Sequence, residues 1–139
     1  MRLSEHISEE EYRCKCCGKL PPLLRNGQIP DIYRLFFEDF EDIRQEYGLP
    51  IIINSGYRCI KHNTEIGGEP TSIHVFGLAL DCTTQNGNQI DDLHNIILAI
   101  HPELRIGFYT NQKFIHIDCG YNIIPIADEA WRKGARWFK

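Results

Sequence analysis

Two histidines and two carboxylates, set in two short stretches, are the residues through which this 139-residue chain could do chemistry. His74 and Asp81 stand in Ser72-Ile73-His74-Val75-Phe76-Gly77-Leu78-Ala79-Leu80-Asp81, and His116 and Asp118 stand in Phe114-Ile115-His116-Ile117-Asp118. Residues 78–80 read as a buried strand ending at Asp81, and residues 113–119 read as a second strand. Side chains alternate across a strand, so His116 and Asp118 share one face while Ile115, Ile117 and Cys119 share the other. The same parity sets Asp81 opposite Leu80 and Cys82. Pairing of the two strands would bring three groups of metal-ligand type to one cleft with apolar residues behind them. Two imidazoles and a carboxylate are a common ligand set for catalytic zinc, which keeps its fourth position for water. These four residues therefore supply the candidate ligands of one zinc ion per chain, His74, Asp81 and His116 among them.

Any one of these residues taken singly is more often a surface or turn group, so the weight falls on the pattern. Ser-x-His-x-x-Gly-x-Ala-x-Asp followed by a His-x-Asp strand resembles the zinc peptidases that cut D-amino-acid-containing bonds in bacterial cell walls. This is the D-alanyl-D-alanine carboxypeptidase and L,D-endopeptidase family, M15. A second motif supports the resemblance: Ser55-Gly56-Tyr57-Arg58, then His62-Asn63 and Gly67-Gly68, upstream of the first histidine. The resemblance covers roughly residues 8 to 120. It implies a hedgehog/DD-peptidase-like fold, a peptidoglycan stem peptide as substrate, and Arg58 holding a substrate carboxylate or carbonyl, a task for a planar bidentate donor. An arginine pinning its own loop is the equal alternative. Ser72 is a candidate substrate contact, although a serine beside a turn commonly bonds its own backbone.

Several branches of the family carry an acidic proton-transfer residue three places before the last histidine, where this chain has Lys113. Asp118 is the replacement expected from geometry, either as general base or as the carboxylate that orients an imidazole. The departure at Lys113 also motivates a second reading, a zinc-stabilised binding module without chemistry on the same fold. A third reading leaves the metal out and makes the three groups polar core residues.

The elements that must position these groups are legible in outline. A length of 139 residues, with 42% hydrophobic and 24% charged, suits one domain over 1–139 with a core of its own. The net charge of -4 lacks the basic footprint of a nucleic-acid binder. The basic and aromatic tail over 131–139 is expected to pack its tryptophans against the core. No membrane span or export signal is visible in Met1-Arg2-Leu3-Ser4-Glu5-His6. Together with the resemblance this implies action at the cell wall after phage-type delivery, as a lysis or virion protein, and a monomer is expected.

Ser8 and Glu11 form a capping box for a short helix. Cys14, Cys16 and Cys17 follow; with Cys59 or His6 they invite a metal reading, but paired Cys-x-x-Cys knuckles are lacking, and a disulfide or buried thiols are preferred. Ile32, Phe36, Phe40, Ile43 and Tyr47 predict an amphipathic helix closed by Gly48 and Pro50. Residues 50–54 predict a strand and 55–58 a turn, with His62 on the surface. Asn88 is expected to cap a helix whose stripe is Ile90, Leu93, Ile96, Ile97 and Ile100, with His94 and His101 outside any ligand set. A hairpin joins residues 104–109 to the His116 strand and places Tyr109 beside the cleft. The sum is an α+β domain: a small, mostly antiparallel sheet of about four strands, helices on one side and the metal cleft on the other.

Overall fold

Of the predicted stripe, Phe36, Phe40 and Ile43 are buried in the core, while Ile32 and Tyr47 are half-buried and Tyr33 and Phe37, outside the predicted set, join the core. In α2 (Asp31–Tyr47), Tyr33, Phe36, Phe37, Phe40 and Ile43 are buried, and Gly48 ends the helix at φ 77°, a left-handed conformation that glycine adopts without a Cβ clash. The computed structural model describes residues 2–123 and 133–139. Ahead of α2, β1 (Arg2–Ser4) and β2 (Ile7–Ser8) pair antiparallel, and α1 (Glu9–Tyr12) starts with the expected capping box. Ser8 Oγ accepts from the Glu11 N–H, and the Glu11 carboxylate accepts from the Ser8 N–H.

The larger sheet holds β3 (Ile52–Ser55), β4 (Ala79–Thr83), β5 (Arg105–Tyr109), β6 (Phe114–Asp118) and β7 (Arg136–Phe138), in the order β3-β4-β6-β5-β7. The first four pair antiparallel and β7 lies parallel to β5. The class is α+β, as expected, but among the described residues the sheet has five strands rather than about four. Residues 136–138 are too few to show a period. They become a strand because β5 offers an open edge: Ile106 N–H donates to Ala135 O and Lys139 N–H donates to Phe108 O, each at 2.9 Å.

One face of this sheet carries Leu80, Cys82, Ile106, Phe108, Ile115 and Ile117, all buried in one cluster with the α2 aromatics and with Leu93 and Ile97 of α4 (Ile90–Ile100). Cys82 and Cys119 pack in this core as well, and burial pushes their thiols well up from their ordinary pKa. His94 packs tilted against Phe108, the ring centroids 4.5 Å apart. One local expectation is corrected. Gln89, at φ 60°, and not Asn88, is the N-cap of α4, and it offers no side-chain bond; the Asn88 carbonyl instead accepts from Thr84 Oγ1. Residues 60–65, for which no element was expected, form α3 (Ile60–Glu65), capped by the sulfur of Cys59, which accepts from His62 N–H at 3.4 Å. Among the described residues no helix is long and apolar enough to cross a membrane.

Candidate metal centre

Strand register assembles most of the site. Asp81 on β4 pairs with His116 on β6, His116 pairs with Gly107 on β5, and Gly107 pairs with Trp137 on β7; Ser55 on β3 stands on the other side of Asp81. These five residues form one row across the sheet. One step along the same face, Ala79, Asp118 and Arg105 form the next row. Because each strand alternates, the face away from the core receives Asp81, His116, Asp118 and Arg105 together.

His74 arrives from outside the sheet, on a 3₁₀ turn (Ile73–Phe76) that begins at Ser72 and is ended by Gly77 at φ 77°. Ser72 Oγ accepts from His74 N–H at 3.3 Å. A Cβ on Gly77 would lie 2.5 Å from both Pro21 Cγ and the Tyr12 hydroxyl, so glycine serves there for space as well as for φ. The His74 carbonyl accepts from Arg58 N–H at 3.0 Å, and His74 Nδ1 lies 2.6 Å from Gly56 O. A carbonyl can only accept, so Nδ1 carries the proton and Nε2 presents its lone pair.

That Nε2 is buried and has no hydrogen-bond partner, although Asp81 Oδ1 is 3.1 Å away. The proximity without a hydrogen bond follows from the tautomer: a lone pair faces a carboxylate, an arrangement that a cation between them would satisfy. Asp81 Oδ1 is also 3.0 Å from His116 Nδ1, and the ligand atoms of His74, Asp81 and His116 all lie within 4.8 Å of one another. These three candidates are therefore brought together, and their donor set suits zinc.

Electrostatics follow the same geometry. Burial pushes the His74 pKa down against the pull of Asp81, so this imidazole is neutral. Burial opposes ionisation of Asp81, but the two imidazoles outweigh it and hold the carboxylate well below its usual range. For His116, burial is overcome by hydrogen bonds to Asp118 and Asp81, which raise its pKa to about 9.

Asp118 is 1% exposed and fully engaged. Oδ2 lies 2.6 Å from His116 Nε2, Arg105 Nη1 donates to both carboxylate oxygens at 3.1 Å, and Gly120 N–H donates to Oδ1 at 2.8 Å. Arg58 donates from Nη2 to Asp81 Oδ2 at 3.1 Å, from Nε to Ser55 Oγ and from Nη1 to Asn63 Oδ1. It thus pins its own loop through side chains, and it holds the ligand carboxylate while lining the cleft. Tyr109 stacks on Phe114 with centroids 4.3 Å apart, and its hydroxyl accepts from Trp137 Nε1 at 3.1 Å. Lys113 sits in the hairpin turn at φ 53°, its carbonyl accepting from Thr83 Oγ1, and is not among the residues lining the cleft.

These groups open onto a cleft of about 690 Å³, walled by Arg58, Ser72, Tyr109, Arg136, Trp137 and Lys139 around the three ligands. Sequence reasoning missed Arg105, Gly56 and the tail's part in this wall. Trp137 of the tail packs with its ring 5.4 Å from that of His116 and beneath the Arg105 guanidinium, whereas Trp131 lies outside the described residues. No sequence signal pairs Arg105 with Asp118, since their contact depends on strand register.

A sheet face presenting one imidazole and a carboxylate, joined above a cleft by a second imidazole from the adjoining 3₁₀ turn, defines the class, a hydrolase of the metallopeptidase type. In agreement, the family model for peptidase M15 matches residues 6–118, and the chain belongs to that family. No curated protein matches the chain in a sequence comparison.

Proposed function

We propose that the chain is a zinc-dependent peptidase cleaving D-amino-acid-containing bonds in the stem peptides of bacterial peptidoglycan, as a carboxypeptidase or an endopeptidase. The observation that carries the reading is the buried, partnerless Nε2 of His74, aimed at Asp81 and His116 on the floor of an open cleft. His74 Nε2, Asp81 Oδ1 and His116 Nδ1 would hold the ion. When bound, zinc supplies Lewis acidity toward water and toward a peptide carbonyl.

The chain's own residues do the rest. Gly56 O holds the His74 tautomer, and Asp118 holds Nε2–H of His116 so that Nδ1 is left to face Asp81. With both oxygens engaged by Arg105, Gly120 and His116, Asp118 acts through His116, as a positioning residue. Arg58 holds Asp81 in orientation through Nη2 and lines the cleft, where a guanidinium suits a substrate carbonyl or carboxylate. Ser72 and Tyr109 line the approach. Arg136 and Lys139 add positive charge to the same wall, favouring a peptide that bears carboxylates, as stem peptides do.

The test is metal analysis joined to mass spectrometry of digested muropeptides. The reading expects release of alanine or of a shortened stem peptide, abolished together with zinc at this site by His116→Ala. Bound zinc with no cleavage across a panel of stem peptides would overturn the peptidase in favour of a binding module.

A further inference from the structure

We infer that this chain carries a second metal site, a three-thiolate centre for zinc formed by Cys14, Cys17 and Cys59, outside the catalytic cleft and structural in role. The three sulfurs lie within 4.8 Å of one another, although Cys59 is 45 residues from Cys14 along the chain. None of these cysteines lines the cleft around His74.

The backbone around them is folded for anionic sulfur. Residues 14–18 close into a tight loop in which Gly18 N–H donates to Cys14 O at 2.8 Å and Cys14 N–H donates to Lys19 O at 3.0 Å. Gly18 takes φ 70°, and the Cys-x-x-Cys-Gly sequence has the spacing from which one half of a zinc site is made. Cys59 supplies the third sulfur from the start of α3. Cys14 Sγ accepts from Cys59 N–H and Cys59 Sγ accepts from His62 N–H, each at 3.4 Å, as thiolate ligands do in metal sites.

A disulfide would use two of these sulfurs and strand the third; one divalent ion engages all three. Cys14 is buried, Cys59 half-buried and Cys17 exposed, so the fourth position opens to solvent on the Cys17 side. The neighbouring Cys16, His62 and Glu65 form a separate group. His6, weighed as a ligand from sequence, is held by Glu41 through Nδ1 at 2.7 Å.

The placement explains what such a centre would do. Cys59 follows Arg58 directly, and Tyr57 N–H donates to Tyr12 O at 2.8 Å. A Cβ on Gly56 would lie 2.7 Å from Tyr12 O, so this turn and the end of α1 are pressed together. An ion at the three sulfurs therefore clamps the turn that presents Arg58 and the Gly56 carbonyl toward the cleft.

Cobalt(II) titration of the reduced full-length chain tests the site, because thiolate ligation gives a near-ultraviolet charge-transfer band that imidazole and carboxylate ligation does not. His116→Ala is expected to keep the band and about one equivalent of zinc, against about two in the unaltered chain. Cys17→Ser, at an exposed position, is expected to lose most of the band and one equivalent of zinc. Cys16→Ser is expected to keep both. The catalytic reading can fail without affecting this result, since the His116→Ala chain reports on the sulfurs alone. The site is overturned if the reduced His116→Ala chain gives no band, if Cys16→Ser loses the band while Cys17→Ser keeps it, or if mass spectrometry finds two of the three sulfurs disulfide-bonded in chain that refuses metal after reduction.

Discussion

His116 Nε2 and Asp118 Oδ2 are 2.6 Å apart on the same strand, and that contact fixes which nitrogen of His116 faces Asp81. Asp118 is itself braced by Arg105 and by the Gly120 N–H, so its orientation is set before any substrate arrives. For Asp118→Asn, zinc affinity is expected to fall about 10- to 100-fold, as for other carboxylates behind a ligating histidine. Competition against a chelator reads the affinity, and kcat should return toward that of the unaltered chain at saturating zinc. Unchanged affinity with kcat lost at saturation would instead make Asp118 a proton-transfer residue.

Zinc loading should depend on pH with a definite sign. In the metal-free chain His116 keeps its proton up to a pH of about 9, because the two carboxylates beside it outweigh the cost of burial. Ligation needs the neutral ring, so zinc must displace that proton. Apparent affinity is expected to rise about tenfold per pH unit between pH 6 and 8 and to level off above about 9. Isothermal titration in buffers of differing ionisation enthalpy checks this by counting about one proton released per zinc at the His116 site; a flat profile would contradict it.

Gly107 faces His116 across the ladder and has Trp137 against its α-carbon. A Cβ there would lie 2.3 Å from Trp137 Nε1, so Gly107→Ala must push the indole away from the cleft wall. The expected cost is about 1–3 kcal/mol of stability, as for other overpacked sites. Loss of the Trp137 contact to the Tyr109 hydroxyl should raise KM more than it lowers kcat. Denaturant unfolding and steady-state kinetics on one preparation separate the two effects, and unchanged KM would show that this wall does not touch substrate.

A third cluster joins the two long helices. His101, at the end of α4, places Nε2 2.9 Å from Asp42 Oδ2 and Nδ1 2.6 Å from Glu103 Oε1, with Asp39 at 3.6 Å. Burial opposes its charge, but these carboxylates prevail and raise its pKa. Its contribution to stability is complete below the ordinary histidine value of about 6.5 and disappears as pH climbs through the raised folded value. Asp39, pushed up to about 6 by burial, acts in the same direction at lower pH, since the native state holds its proton longer than the unfolded chain does. Thermal melts are expected to show stability declining from pH 6 to 9, and His101→Gln to flatten that decline by about 1 kcal/mol. Parallel profiles for both chains would remove His101 from this role.

What could be read from residue order alone is what local periodicity and short spacing encode. The capping box at Ser8 and Glu11, the aromatic stripe of α2, and the parity setting His116 and Asp118 on one face each depend on neighbours within a turn or a strand. The ligand trio was legible because two motifs carry it and strand alternation aims two of its members. Tertiary structure decided the partners that lie far apart in the chain: Arg105 behind Asp118, Gly56 O behind His74, and a three-residue tail strand bringing Trp137 to the cleft. Cys59 beside Cys14 belongs with them. Periodicity states which face of an element is buried; only the docking of those faces, which settles register and end-to-end contacts, states what each face meets.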